Sequence, residues 1–155
     1  ANIIYDSVVD EFTADMFFEK VKGKRNIALV TSTTDGDVFG GFYNVAVTEQ
    51  DEKFFDPDMF VFSFESGGRC ETPQFFSVWG KVAELKYVKF FDYDSDGLFV
   101  DFGGSWGGFF LGNEESNTFC YDLSFGFKGI KDTTLTGNTH PELFTCTRIV
   151  AVHLW

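Results

Sequence analysis

Ser105 stands in Gly103-Gly-Ser105-Trp-Gly107, a literal G-x-S-x-G. In hydrolases that spacing lets a serine project from a strained strand-to-helix turn. His140 follows it in the chain and could act as base, with Asp122 or Asp132 behind the imidazole. The next residues, Gly108-Phe-Phe-Leu111, read instead as a strand, and no alternating α/β pattern surrounds them. A glycine-rich loop between two strands, with Trp106 at its tip, is the plainer expectation. Asp92-Tyr-Asp94-Ser-Asp96-Gly97 opens like a calcium loop, with oxygen ligands at alternate positions and glycine at the sharp turn. Gly103 occupies the place of the closing acid, although Asp101 is near, and the flanks read as strands. An acidic hairpin turn fits this better than an EF-hand; weak calcium binding by Asp92, Asp94 and Asp96 stays open.

Redox chemistry would fall to Cys70, because the adjoining Arg69 would favour a thiolate if the sulfur were exposed. Cys120 and Cys146 lie in apolar strand contexts, where thiols are usually buried and inert. Neither His140 nor His153 has a partner at metal-ligand spacing. We therefore expect no catalytic constellation, no metal and no cofactor.

The elements that must position these groups are mostly strands. The chain has 155 residues, including 22 Phe, 16 Gly and 3 Pro. That length implies one domain, and aromatic strands with glycine-rich turns imply a mainly β fold. One helix is signalled near the start, with Thr13 as N-cap, Asp15 in the first turn, Phe12 and Phe17 at the staple positions and Gly23 past the end. Met16, Phe17, Phe18 and Val21 are its expected buried side.

Residues 26–33 read as a central strand. It is joined to a second strand, 39–48, by an Asp35-Gly36 turn supplying the positive φ angles of a two-residue hairpin. Gly40 and Gly41 interrupt that second strand where a side chain would obstruct a backbone, a bulge or a partner. In residues 59–64 Phe60, Phe62 and Phe64 share one face. Further strands are expected over 75–79, 87–93, 98–102 and 108–111, with a helix over 82–89 as an alternative reading. The last strand, 147–155, is apolar on both faces and is expected to be covered on both.

The net charge of −12 disfavours nonspecific binding to nucleic acid or anionic membrane. Lys20, Lys22, Lys24 and Arg25 nevertheless hold four of the twelve basic residues. They read as a solvated helix end or as an anion site. An odd count of three cysteines, no visible signal peptide and no membrane-spanning apolar run point to an intracellular place, cytoplasmic or nuclear. The chain begins at Ala1 without Met, as expected of a fragment lacking upstream segments.

Val38-Phe-Gly-Gly-Phe42 after its turn resembles the central signature of the TLDc family, the domain of oxidation-resistance proteins. Ile3-Ile-Tyr-Asp-Ser7 with the following helix resembles the family's opening, Gly23-Lys24 to Thr31 its next core strand, and Phe60 to Phe64 its Phe-rich strand. Gly103-Gly104 with Gly107-Gly108-Phe109 resembles its glycine-rich segment, and Cys120 sits where the family often has a cysteine. His153-Leu154-Trp155 stands where the family closes on Glu-Val-Trp, so the usual acid is missing.

The resemblance implies a sandwich of two antiparallel β-sheets with a few flanking helices. It also implies protection against oxidative damage, binding to the vacuolar proton pump in several members, and no established catalytic mechanism. The expected reading is a non-catalytic interaction domain that recognises its partner through Asp35, Gly36, Asp37, Phe39, Gly40 and Gly41 and through Ser105, Trp106 and Gly107. The alternative is a stress-responsive transcriptional regulator binding DNA through Lys20 to Arg25.

Overall fold

A computed structural model describes residues 1–92, 97–114 and 116–155. Strand β1 (Asn2–Asp6) is followed by helix α1 (Ala14–Val21), β2 (Ile27–Thr33), β3 (Val38–Tyr43), β4 (Phe54–Phe55), β5 (Phe60–Glu65) and β6 (Gln74–Ser77). A 3-10 turn (Gly80–Leu85) leads into β7 (Lys86–Phe90), β8 (Leu98–Gly104), β9 (Gly108–Gly112), β10 (Cys120–Tyr121), the one-turn helix α2 (Leu123–Gly126) and β11 (Cys146–His153). All ladders between named strands are antiparallel. One sheet has the order β1-β11-β2-β3-β5-β6 and the other β10-β9-β8-β7-β4. The expected two-sheet antiparallel sandwich with a few short helices is the observed architecture.

The helix forms where its cap chemistry places it. The Thr13 hydroxyl accepts the Met16 amide at 3.3 Å, and Gly23 takes a left-handed φ just past the end. Phe17, Phe18 and Val21 are buried, and Phe12 and Phe17 both pack on Phe99. The β2–β3 turn differs from the expected one. Thr33 pairs with Asp37 through its amide, so the loop has three residues, and of these Gly36 alone has a positive φ. That is the form in which a tight turn ends on a left-handed residue. Strand β3 stops at Tyr43 because the Asp56 carboxylate takes the Asn44 amide at 2.6 Å. The ambiguous 82–89 segment divides into the 3-10 turn and β7, whose Val88 and Phe90 alternate into the core.

Phe60, Phe62 and Phe64 share one face as expected, and one expectation about faces, that of the last strand, is corrected. In β5 the core face carries Val61 and Ser63, while Phe60, Phe62 and Phe64 look outward. In β11 Ile149 and Ala151 fill the core, but Val152 and Leu154 line an open apolar groove of about 260 Å³ with Phe42, Phe62 and Phe75. No helix or strand among the described residues covers that groove. The aromatic rings there cover one another instead: Phe42 stacks on Phe60 at 5.0 Å and Phe62 on Phe64 at 4.6 Å.

Between the sheets, Phe102 stacks on Phe109 at 5.1 Å, and Phe109 meets Phe39 edge-on at 5.2 Å. Gly41 faces this cluster, and a Cβ added there would collide with the Phe102 ring. Gly41→Ala is expected to lower stability by about 1–3 kcal/mol through overpacking. The readout is a lower denaturant midpoint at unchanged m-value. Gly36→Ala adds a Cβ that meets nothing within 4 Å and is expected to cost about 1 kcal/mol, from its backbone alone. An unperturbed Gly41→Ala midpoint would show that the Phe102 ring does not depend on the space glycine leaves.

Candidate functional site

The β8–β9 loop is the most constrained part of the surface. Gly103, Gly104, Trp106 and Gly107 all have positive φ, which for Trp106 is a costly conformation. Two causes hold it. A Cβ at Gly107 would strike the Asp122 carbonyl, so only glycine lets the loop lie against the start of α2. From below, Lys86 places its ammonium at the carbonyls of Ser105 (3.2 Å), Trp106 (3.1 Å) and Gly107 (2.6 Å). Its Nζ also lies 4.8 Å from the Phe127 ring centroid. Lys86 is fully buried because it shares the inward parity of Val88 and Phe90 at the end of β7. That parity is the sequence signal for an unusual lysine, and a search for motifs passes over it.

The loop presents Trp106, 57% exposed, at its tip. Beside it, Leu85 from the 3-10 turn and Phe125 from α2 line a depression of about 290 Å³ with Lys81 and Val82. Trp79 extends the apolar area, its indole N–H donating to the Ser124 carbonyl at 3.0 Å. The ammonium groups of Lys81 and Lys128 stand 5.6 and 5.9 Å from the Trp79 ring. Sequence reading finds Trp106 and Ser105 but not Leu85, Phe125 or Trp79, which come from two separate segments, the 3-10 turn with its cap and α2.

On the other side of the loop lies a shallow cup of about 340 Å³, containing Ser105, Tyr87, Asp101, Tyr121 and His140. Ser105 and His140 therefore share a depression, yet the triad that the G-x-S-x-G spacing would need is not assembled. The His140 ring packs against Phe119 at 4.8 Å and makes no side-chain hydrogen bond among the described residues. Asp132 accepts the Ser124 amide at 2.8 Å, and the G-x-S-x-G joins two strands of a hairpin.

The other expected sites are dispersed. At the β2–β3 hairpin, Asp35 and Gly36 are exposed, whereas Phe39, Gly40 and Gly41 are buried. Gly40 lies beneath Phe62, where a Cβ would meet the Leu29 carbonyl. Asp37 is buried and ion-paired with Arg69. A partner surface at this hairpin is thus confined to Asp35 and Gly36, because the rest is packed inside. Arg69 also donates to the carbonyls of Thr134 and Leu135 at 3.0 Å each, which completes this lock, while Cys70 is half-buried. Cys120 is buried, and desolvation pushes its thiol up to about 12; burial also raises Cys146. Lys20, Lys22, Lys24 and Arg25 gather at the C-terminal end of α1, with Lys22 5.9 Å from the Phe18 ring. Of the three carboxylates for which calcium binding was left open, Asp94 and Asp96 lie outside the described residues. Among the described residues no group of three or more His, Cys, Asp or Glu can hold a metal ion, and no helix is long and apolar enough to cross a membrane.

Burial lowers the Lys86 pKa from 10.5 to about 8, opposed by the charge of Asp101. The unfolded chain therefore holds this proton more tightly. Its cost to stability is full below pH 8 and is relieved as pH rises towards 10.5. Urea unfolding of wild type and Lys86→Met across that window is expected to show wild type gaining roughly 3 kcal/mol relative to the variant. A pH-independent difference would mean that burial does not perturb Lys86.

No curated protein sequence matches the chain. The family model of the TLDc domain matches residues 1–148 of its 155 residues, a span that includes the glycine and aromatic positions of the sandwich and the β8–β9 loop. The chain belongs to the TLDc domain family.

Proposed function

We propose that this domain is a non-catalytic protein-interaction module of the oxidative-stress response, acting inside the cell by docking a partner through Trp106. The observation that carries the reading is the rigid presentation of an exposed tryptophan. Trp106, 57% exposed on a loop pinned from below by Lys86, lines one depression with Phe125 of α2, 56% exposed. Tryptophan on a pre-organised support is the residue type that dominates binding energy at protein interfaces, since little side-chain entropy is lost on docking. Membership of the family is consistent with a role in oxidative stress, and the vacuolar proton pump is the partner class that the resemblance offers.

The test is affinity capture from lysate with and without peroxide, read by mass spectrometry. Proton-pump subunits are expected on wild type. Their recovery is expected to fall by about tenfold or more on Trp106→Ala, a loss of the hot-spot size. Phe75→Ser, on the apolar groove of the other sheet, serves as the contrasting variant. Loss there and not at Trp106 would move the interface to that groove.

A second reading rests on the clustering of Lys20, Lys22, Lys24 and Arg25 at one helix end, as DNA binding by a transcriptional regulator would need. The net charge of −12 opposes it. Salt-sensitive binding to a specific duplex, lost when the four are replaced, would bring it forward. Labelling of Ser105 by a serine-directed phosphonate would overturn the non-catalytic reading altogether.

A further inference from the structure

Asp101 lies on the outward face of its sheet, paired across the ladder with Lys89 on one side and Phe110 on the other. An outward carboxylate would ordinarily be solvated, yet Asp101 is only 7% exposed. The Tyr121 hydroxyl donates to one of its oxygens at 2.6 Å, and the Tyr87 hydroxyl approaches the other at 3.4 Å. Both are neutral donors. Neither ion pair among the described residues involves Asp101. Lys86 is committed to the loop carbonyls inside the sandwich. The Lys89 ammonium stands 5.5 Å from the Phe91 ring, and that of Lys53 5.0 Å from the Tyr87 ring. Desolvation raises the Asp101 pKa and outweighs the charge of Lys89 across the ladder, which lowers it.

Around it the rings are mutually inclined and do not form a parallel stack. Phe110 and Tyr121 meet at 40°, Phe110 and Phe119 at 49°, Phe119 and His140 at 61°, with centroids 4.8 to 5.4 Å apart. Inclined ring walls with a negative charge at the floor are the chemistry that receives a cation. The tyrosine hydroxyls already occupy lone pairs of the carboxylate, which disfavours a guanidinium needing many acceptors. A quaternary ammonium needs none. Net charge −12 disfavours ligands that also carry phosphate.

We propose that this cup binds a quaternary ammonium group of the kind a trimethyllysine side chain presents, with Asp101 and the rings of Tyr121 and Phe119 as its principal contacts. The inference does not rest on docking through Trp106, which lies on the far side of the loop. The experiment is titration of the intact protein with trimethyllysine amide, lysine amide, tetramethylammonium and phosphocholine, followed by NMR of the aromatic side chains. Saturable shifts of the Tyr121 and Phe119 rings are expected with trimethyllysine amide and tetramethylammonium, with lysine amide about tenfold weaker. Asp101→Asn and Phe119→Ala are each expected to weaken binding about tenfold. Phe119 is half-exposed, so its variant remains informative should Asp101→Asn unfold. No saturable shift, or equal affinity for lysine amide, would overturn the proposal. Tighter binding of phosphocholine than of trimethyllysine would overturn the side-chain assignment. Trp106→Ala is expected to leave these titrations unchanged.

Discussion

The sandwich depends on how closely its two sheets can approach, and that distance is set where Phe102 of β8 meets the bare backbone of Gly41. The Phe102 ring lies flat on Phe109, Phe109 meets Phe39, and Phe39 meets Phe144. These contacts link segments distant in sequence, so the chain of rings fixes both sheets at once. Close packing then leaves no latitude for an extra methyl group. A second aromatic cluster, Tyr5, Phe17, Phe90 and Phe99, secures α1 and β1 against the same interior.

With the sheets fixed, the end of the sandwich near α2 becomes rigid for electrostatic reasons. Buried carbonyls of an irregular loop need donors, and the Lys86 ammonium supplies three at once. A hydrophobic residue at that place would fill space but leave those oxygens without partners. The outcome is a loop whose backbone strain is held by interactions below it, which frees Trp106 above it for contact.

The same loop separates two surfaces of different character. One is apolar with lysines at its edge, suited to shape-based docking. The other places a desolvated carboxylate among aromatic rings, suited to charge. The cysteines contribute to neither in any direct way. Burial disfavours the thiolate forms of Cys120 and Cys146.

Local patterns in the sequence determined what depends on near neighbours. Thr13 and Gly23 delimited α1, Val38-Phe-Gly-Gly-Phe42 marked the strand that crosses the centre of its sheet, and the Phe and Gly content implied a mainly β fold. Short strands such as Phe54–Phe55 and Cys120–Tyr121 were not legible, because two residues carry no period. Which face of β5 is the core was decided only by tertiary packing. Alternation marks two faces without saying which one meets the other sheet, and here the smaller Val61 and Ser63 fit between the sheets while Phe60, Phe62 and Phe64 take the opposite face, where Phe62 is buried among neighbouring rings. The site was legible only at Trp106 and its glycines, whose spacing is local. Lys86, Asp101 and Tyr121 come together around that loop because the β7-β8-β9-β10 ladders align their strands, and α2 adds Phe125 on its other side; that register is a property of the folded sheet.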